Sequence, residues 1–157
     1  MVTLVDSTID TVRRISSELR PSVLDDLGLV EAIEWQAQQF QAQTGLIYQG
    51  DCLVQDIDLN REQCTALFRI FQEALTNILR HAEATEFSST LELEGNDLVL
   101  IISDNGKGIT GNELSRPQSL GLLGMRERAH LVGAKINITG AEGQGTVITV
   151  RLPMVAS

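Results

Sequence analysis

Four clusters in this sequence have the residue types and spacing to hold a small polar ligand. Glu73, Asn77 and His81 recur at i, i+4 and i+8, with Arg80 on their flank. At roughly 100° per residue these groups form one stripe along a helix. The stripe borders an apolar face of Leu67, Ile70, Phe71, Ala74, Leu75, Ile78, Leu79 and Ala82. A solvated helix face usually carries scattered Lys and Glu, so a lined-up row beside the core fits the wall of a polar site. An amphipathic helix with a polar margin is the plainer reading of the same stripe. The second cluster, Asp104-Asn105-Gly106-Lys107-Gly108, follows the apolar run Leu98 to Ser103, the mark of a buried strand. Asp104 then emerges half-buried at the strand end, where its carboxylate can accept from a ligand amine. Gly106 and Gly108 permit positive φ and let a ligand approach the backbone. Gly121-Leu122-Leu123-Gly124-Met125 opens a helix, and such a terminus suits phosphate, although a glycine there also serves as a cap. Gly143-Gln144-Gly145-Thr146 precedes the last apolar run. Each of the last three is weak alone. The order of E-x-x-x-N-x-x-R-H, DNGKG, GLLGM and GQGT, with a short loop between the second and third, is specific.

The elements that must position these groups follow from periodicity. The stripe belongs to a helix from Arg61 to Ala82, opened by the capping pair Asn60 and Gln63. Upstream, Val5, Ile9, Val12, Ile15 and Leu19 form a narrow seam that needs a partner helix. Pro21 ends that helix. Leu24, Leu27 and Leu29 around Gly28 lead into a second helix, about Val30 to Gln43, ended by Thr44-Gly45. Leu46 to Gly50 and Leu53 to Ile57 read as short strands. Phe87 to Glu94 alternates, and Glu94-Gly95-Asn96-Asp97 has hairpin chemistry. Thr110 to Leu120 is polar and reads as a mobile loop; the helix from Gly121 reaches about Val132, where Gly133 stops it. Lys135 to Thr139 and Thr146 to Leu152 form the final hairpin. Helices on one side of a largely antiparallel sheet give an α+β two-layer sandwich.

Composition narrows the ligand. A chain of 157 residues holds one domain with a sizeable core, and its net charge of −9 argues against direct nucleic-acid binding. A phosphate ligand is compatible with that charge, because backbone N–H groups and a metal can hold it locally. Cys52 and Cys64 match no metal-ligand spacing and read as reduced packing residues of a cytoplasmic protein. No apolar run approaches transmembrane length and no signal-peptide pattern opens the chain. Any membrane contact is expected only through missing upstream regions.

The ordered combination resembles the ATP-binding domain shared by gyrase, MutL, heat-shock chaperones and sensor histidine kinases. Within it, LRPSVLDDLGL followed by FQEALTNILRHA and GLLGMRERA is similar to the nitrate-sensor type of two-component histidine kinase. The resemblance covers essentially the whole chain. It implies the Bergerat-type sandwich, a mostly antiparallel mixed sheet with about three helices on one face, preceded by a partial dimerisation helix. It implies ATP and Mg²⁺ as cofactors: Asn77 as the Mg²⁺ ligand, Glu73 as a catalytic group near the γ-phosphate, Arg80 and His81 by the phosphates. Asp104 would accept the adenine amino group, with Gly106, Lys107, Gly108 and Ile109 shaping the pocket and Thr146 backing the adenine through Asp104 or a water. Gly121, Leu122, Gly124 and Met125 would carry the lid and helix terminus over the phosphates. A single Asn oxygen completed by phosphates and waters suits Mg²⁺, which keeps much of its hydration. Glu73 is open between a base, a water anchor and a packing residue.

Kinases of this type carry a phospho-acceptor of the form His-Asp/Glu-x-x-x-Gln/Arg. Here His81 precedes Ala82-Glu83 and His130 precedes Leu131-Val132, so neither fits. The seam resembles the second dimerisation helix only. The expected division is residues 1–23, the end of a dimerisation region and linker, and 24–157, the catalytic domain. The expected reaction is transfer of the γ-phosphoryl of ATP to a histidine on a dimerisation helix outside this chain. Relay to the aspartate of a response regulator receiver domain would follow. The alternatives are a non-enzymatic nucleotide-binding switch, and an anti-sigma-factor-type serine kinase, which the LRPSVLDDLGL segment disfavours.

Overall fold

The helix bearing the polar stripe is the middle element of a helical layer laid on one face of a sheet. A computed structural model describes residues 22–52, 57–108 and 120–154. The helices are α1 (Ser22–Thr44), α2 (Arg61–Asn77) and α3 (Leu120–Leu131); the strands are β1 (Ile47–Cys52), β2 (Glu86–Glu94), β3 (Asp97–Asp104), β4 (Lys135–Gly140) and β5 (Thr146–Pro153). Their order across the sheet is β1-β2-β3-β5-β4. Only β1 against β2 is a parallel pairing; the other three pairings are antiparallel.

Strand alternation decides which face the helices cover. Ser89, Ile102, Ile148 and Ile138 share one row across four strands, and Leu91, Leu100, Val150 and Ile136 share the next. Both rows are buried or partly buried against the helices. On α2 the matching side chains are Leu67, Ile70, Phe71 and Ala74, all at most 1% exposed. Full burial of each large one stabilises by ~1.5–3 kcal/mol, which dwarfs any propensity difference along the helix. α2 packs on α1 at one side and on α3 at the other.

α2 begins as its sequence requires. Asn60 Oδ1 accepts from the Gln63 N–H at 2.8 Å, and Gln63 Oε1 accepts from the Asn60 N–H at 2.9 Å, a reciprocal capping box. Its end departs from expectation: the α-helix stops at Asn77 and Ile78–Ala82 is a π-helical turn, followed by Glu83 in left-handed backbone (φ 52°, ψ 40°).

Three boundaries differ from the sequence reading. α1 starts at Ser22, not near Val30, and Gly28 (φ 81°, ψ 173°) breaks it internally. Leu24, at 1% exposure, anchors the first piece, so the segment read as a lead-in is itself helical. β1 lies slightly later than read, and Ile57 carries no strand. The remainder of the supposed second strand, the seam Val5 to Leu19 and the loop 110–119 lie outside the described residues. The division proposed at 23/24 falls in the first turn of α1. No described helix is long and apolar enough to cross a membrane.

Candidate functional site

Two of the four clusters meet through a glycine. A Cβ built on Gly121, at the start of α3, would collide with Glu73 Oε1, and would lie 3.1 Å from Glu73 Cδ and 3.4 Å from Asn77 Oδ1. The absence of a side chain at 121 therefore lets the helix start rest against the acidic and amide groups of α2. Asn77 closes α2, and its Nδ2 is buried without a hydrogen-bond partner. Buried amides are normally satisfied, so this one has unused capacity at the position where Glu73 and Gly121 converge. Arg80 lies exposed on the π-helical turn one residue pair further on; His81 is in the same turn, and its side chain is outside the description.

The other two clusters meet at the end of β3. Ser103 pairs with Val147, so the residue after one faces the residue before the other. Asp104 Oδ1 accepts from the Gly106 N–H at 2.8 Å, and the Thr146 backbone N–H also donates to the Asp104 carboxylate. Burial pushes the Asp104 carboxyl above its ordinary range, and these two N–H donors offset only part of the shift. The result is a half-buried, charged acceptor at a strand end. Thr146 is 5% exposed.

The loops holding that acceptor interlock. The Gly143 N–H donates to the Lys107 carbonyl at 2.8 Å. A Cβ on Gly145 (φ 83°) would strike the Asp104 carbonyl oxygen and lie 3.1 Å from Asn105 Cα. Gly108 meets the Ala141 and Gly145 carbonyls in the same way. Gly145→Ala should thus combine left-handed strain with a backbone collision that no rotamer relieves, costing ~2–4 kcal/mol. Urea unfolding of the domain checks this, and an unchanged midpoint would refute the interlock.

Other residues of the sequence reading fall elsewhere. Met125 is 0% and Leu122 7% exposed, so both belong to the packing of α3 into the core. A Cβ on Gly124 would meet nothing within 4 Å, so no contact demands glycine there. Lys107 is exposed and engaged through its carbonyl, while Ile109 is outside the described residues. A cavity of 430 Å³ between the helices, lined by Gln36, Gln72 and Arg128, reaches Glu73. Its lining does not include Asp104 or Thr146 among the described residues, so it is separate from the interlocked loops.

One side chain of the motif makes contacts the sequence did not announce. Asn105 sits in the recognised DNGKG motif, yet its side chain turns to the start of β2. Oδ1 accepts from the Thr85 and Glu86 N–H groups at 2.9 and 3.0 Å, and Nδ2 donates to Thr85 Oγ1 at 2.8 Å. An Asn between two turn residues signals side-chain-to-backbone bonding, but not a partner 20 residues away.

Comparison with known proteins identifies the family of the fold. Over 153 residues the chain is 37% identical to the oxygen sensor histidine kinase NreB of Staphylococcus carnosus (strain TM300), covering 96% of this chain and 44% of that protein. The chain thus spans less than half the length of that relative. The Erythrobacter litoralis EL346 blue-light activated histidine kinase superposes with a TM-score of 0.75 at 20% identity, over 94% of this chain and 50% of that one. The Acinetobacter baumannii histidine kinase AdeS gives 0.71 at 15% identity, over 98% and 83%; at these identities both likenesses speak for the fold alone. Residues 62–156 match the family described as histidine kinase-, DNA gyrase B-, and HSP90-like ATPase, and they contain every cluster built above. The chain belongs to that family of ATP-binding domains.

Proposed function

We propose that this chain holds Mg-ATP and transfers its γ-phosphoryl to a histidine on a separate dimerisation helix, for relay to the aspartate of a response regulator receiver domain. The observation that carries the reading is the convergence of Glu73 and Asn77 with Gly121, at the end of α2 that leads into β2. Asp104 stands beside the start of β2, since it pairs with Phe87. One group of residues suits the phosphates and the other the adenine amine. In this reading Asp104 accepts from the adenine amino group, and Arg80 and His81 lie toward the phosphates. ATP as donor makes the cytoplasm the working compartment.

The residues also fit Mg²⁺. No group of three or more His, Cys, Asp or Glu side chains stands ready for a metal among the described residues, so a dedicated all-protein cage is not what this site offers. Mg²⁺ is commonly held by one or two protein oxygens plus substrate phosphates and water; the Asn77 Oδ1, which lies toward Gly121 beside Glu73, would be such an oxygen, while its unpartnered Nδ2 is a donor suited to a phosphate oxygen. When bound, the ion neutralises phosphate charge as the γ-phosphoryl leaves. The protein's own share is to hold the phosphoryl in line with an acceptor and to keep the site preorganised.

The test is incubation with ATP labelled at the γ-phosphate. This chain alone should stay unlabelled, because neither His81 nor His130 has an acceptor context. A separate helical domain bearing His-Asp/Glu-x-x-x-Gln should acquire acid-labile label, slowly, since separation forfeits the high effective concentration of a tether. Tight ATP binding with no transfer to any cognate acceptor would leave a nucleotide switch instead.

The elevated carboxyl of Asp104 sets a pH dependence. In the unliganded domain a folded-state value above the unfolded one makes the ionised group a cost at neutral pH. Stability from this group therefore grows as pH falls through the raised value. Nucleotide affinity has the opposite sign, because protonation removes the charge that the adenine amine meets. Calorimetric titration between about pH 4 and 7 should show ATP affinity falling at a higher pH than an ordinary carboxylate would give. In Asp104→Asn this component should vanish.

A further inference from the structure

We propose that Asn105 is a positioning residue that fixes the π-helical turn after α2 relative to the Asp104 loop, and so acts on the phosphate end of the nucleotide. The proposal rests on the nucleotide-site reading above. Between Asn77 and Thr85 the backbone passes through two unfavourable conformations: the widened turn Ile78–Ala82 and the left-handed Glu83. π-Helical turns are rare and gather at functional sites. Left-handed backbone in a residue other than glycine persists only where its surroundings over-determine it. One end of this stretch is held by α2. The other is held at Thr85 and Glu86, by the three side-chain hydrogen bonds of Asn105 and by its backbone N–H, which donates to the Glu86 carbonyl at 3.2 Å.

Asn105 is also the residue next to Asp104, with its Cα against Gly145. It therefore joins the adenine-side loop to the turn carrying Arg80. Its amide is committed to Thr85 and Glu86, which leaves the neighbouring carboxylate for the ligand. These bonds are solvent-exposed, so water can replace them without a large folding penalty. What water cannot do is hold the turn in one place.

The test compares Asn105→Ala with Asn105→Asp, reading calorimetric affinities for Mg-ATP and for AMP. Asp keeps acceptors for both N–H groups and can take the Thr85 hydroxyl as donor, so it should restore the parent behaviour. For Asn105→Ala the expected result is a loss of about tenfold for ATP and less than about threefold for AMP, the scale of one or two released hydrogen bonds. Asn105→Asp should stay within about threefold of the parent for both. Thr85→Val, which removes only the hydroxyl bond, reads the same selectivity should Asn105→Ala not fold. Equal losses for ATP and AMP, no loss for either, or failure of Asp to restore ATP binding would each overturn the positioning role. If the unmodified domain binds neither nucleotide, the nucleotide-site reading falls and takes this proposal with it. If the domain binds both and the selectivity is missing, only the positioning role falls.

Discussion

Asp104→Asn is expected to lower ATP affinity about 5- to 150-fold, and the parent domain is expected to reject GTP by a similar factor. Both follow from the donor and acceptor count at the end of β3. The carboxylate accepts from the Gly106 and Thr146 N–H groups, and an ionised carboxylate has acceptor sites left for a ligand amine. An amide in its place turns one accepting atom into a donor, which must then face a backbone N–H or the adenine amine. Either arrangement leaves polar groups mispaired in a half-buried position, costing ~1–3 kcal/mol, which is the stated range in affinity. Guanine presents an oxygen where adenine presents its amine, so with GTP two acceptors would meet. Calorimetry with ATP and GTP on the parent and the variant measures both effects. Equal binding of the two nucleotides by the parent would remove Asp104 from adenine recognition.

How far the sequence announced this site depends on the range of the interaction that builds each part. The Asn60–Gln63 cap and the α2 period as far as Asn77 are local, set by spacing of three or four residues, and both stand as read. Beyond Asn77 the π-helical turn breaks the period, and Leu79, read on the apolar face, is 61% exposed. The alternation of β2 and the apolar run of β3 are local too, and the strands line up in register across the sheet. The start of α1 was misplaced because Gly28 interrupts the period. What keeps Ser22–Leu27 helical is the burial of Leu24 against the rest of the molecule, a long-range fact. The π-helical turn was invisible for the same reason, as its exit is pinned by Asn105 from a distant loop. Helix phase separates the GLLGM residues. Gly121 meets α2 while Leu122 and Met125 turn into the core, and a motif written as consecutive letters conceals that split. The glycines of GQGT carried the least information in sequence. In the fold Gly145 proves sterically obligatory, because it faces the Asp104 carbonyl.

Asn77→Ala is expected to raise the stability of the unliganded domain while removing phosphotransfer. The two effects share one cause. Asn77 lies at the end of α2 in helical backbone (φ −65°, ψ −39°), with its amide nitrogen buried and unpartnered. Asn is a poorer helix former than Ala, and a buried unsatisfied amide costs energy that a methyl group does not. Together these favour the variant by ~1 kcal/mol. A residue that weakens its own helix, placed beside Glu73 and against Gly121, is what the proposed ligand role requires. As the proposed Mg²⁺ ligand it should be needed for tight Mg-ATP binding and for transfer. Even outer-shell partners of metals cost 10–100-fold when removed, so the loss in transfer should be about 100-fold or more. The dependence of ATP affinity on Mg²⁺ should flatten, and metal-free ADP should lose less, because the adenine side of the site is untouched. Thermal unfolding reads the first effect; labelled transfer to a supplied acceptor helix and calorimetry at varied Mg²⁺ read the second. A variant that is less stable than the parent and still transfers phosphate would return the polar stripe of α2 to an ordinary helix margin. A more stable variant that no longer transfers would show that this amide costs the fold stability and serves the nucleotide.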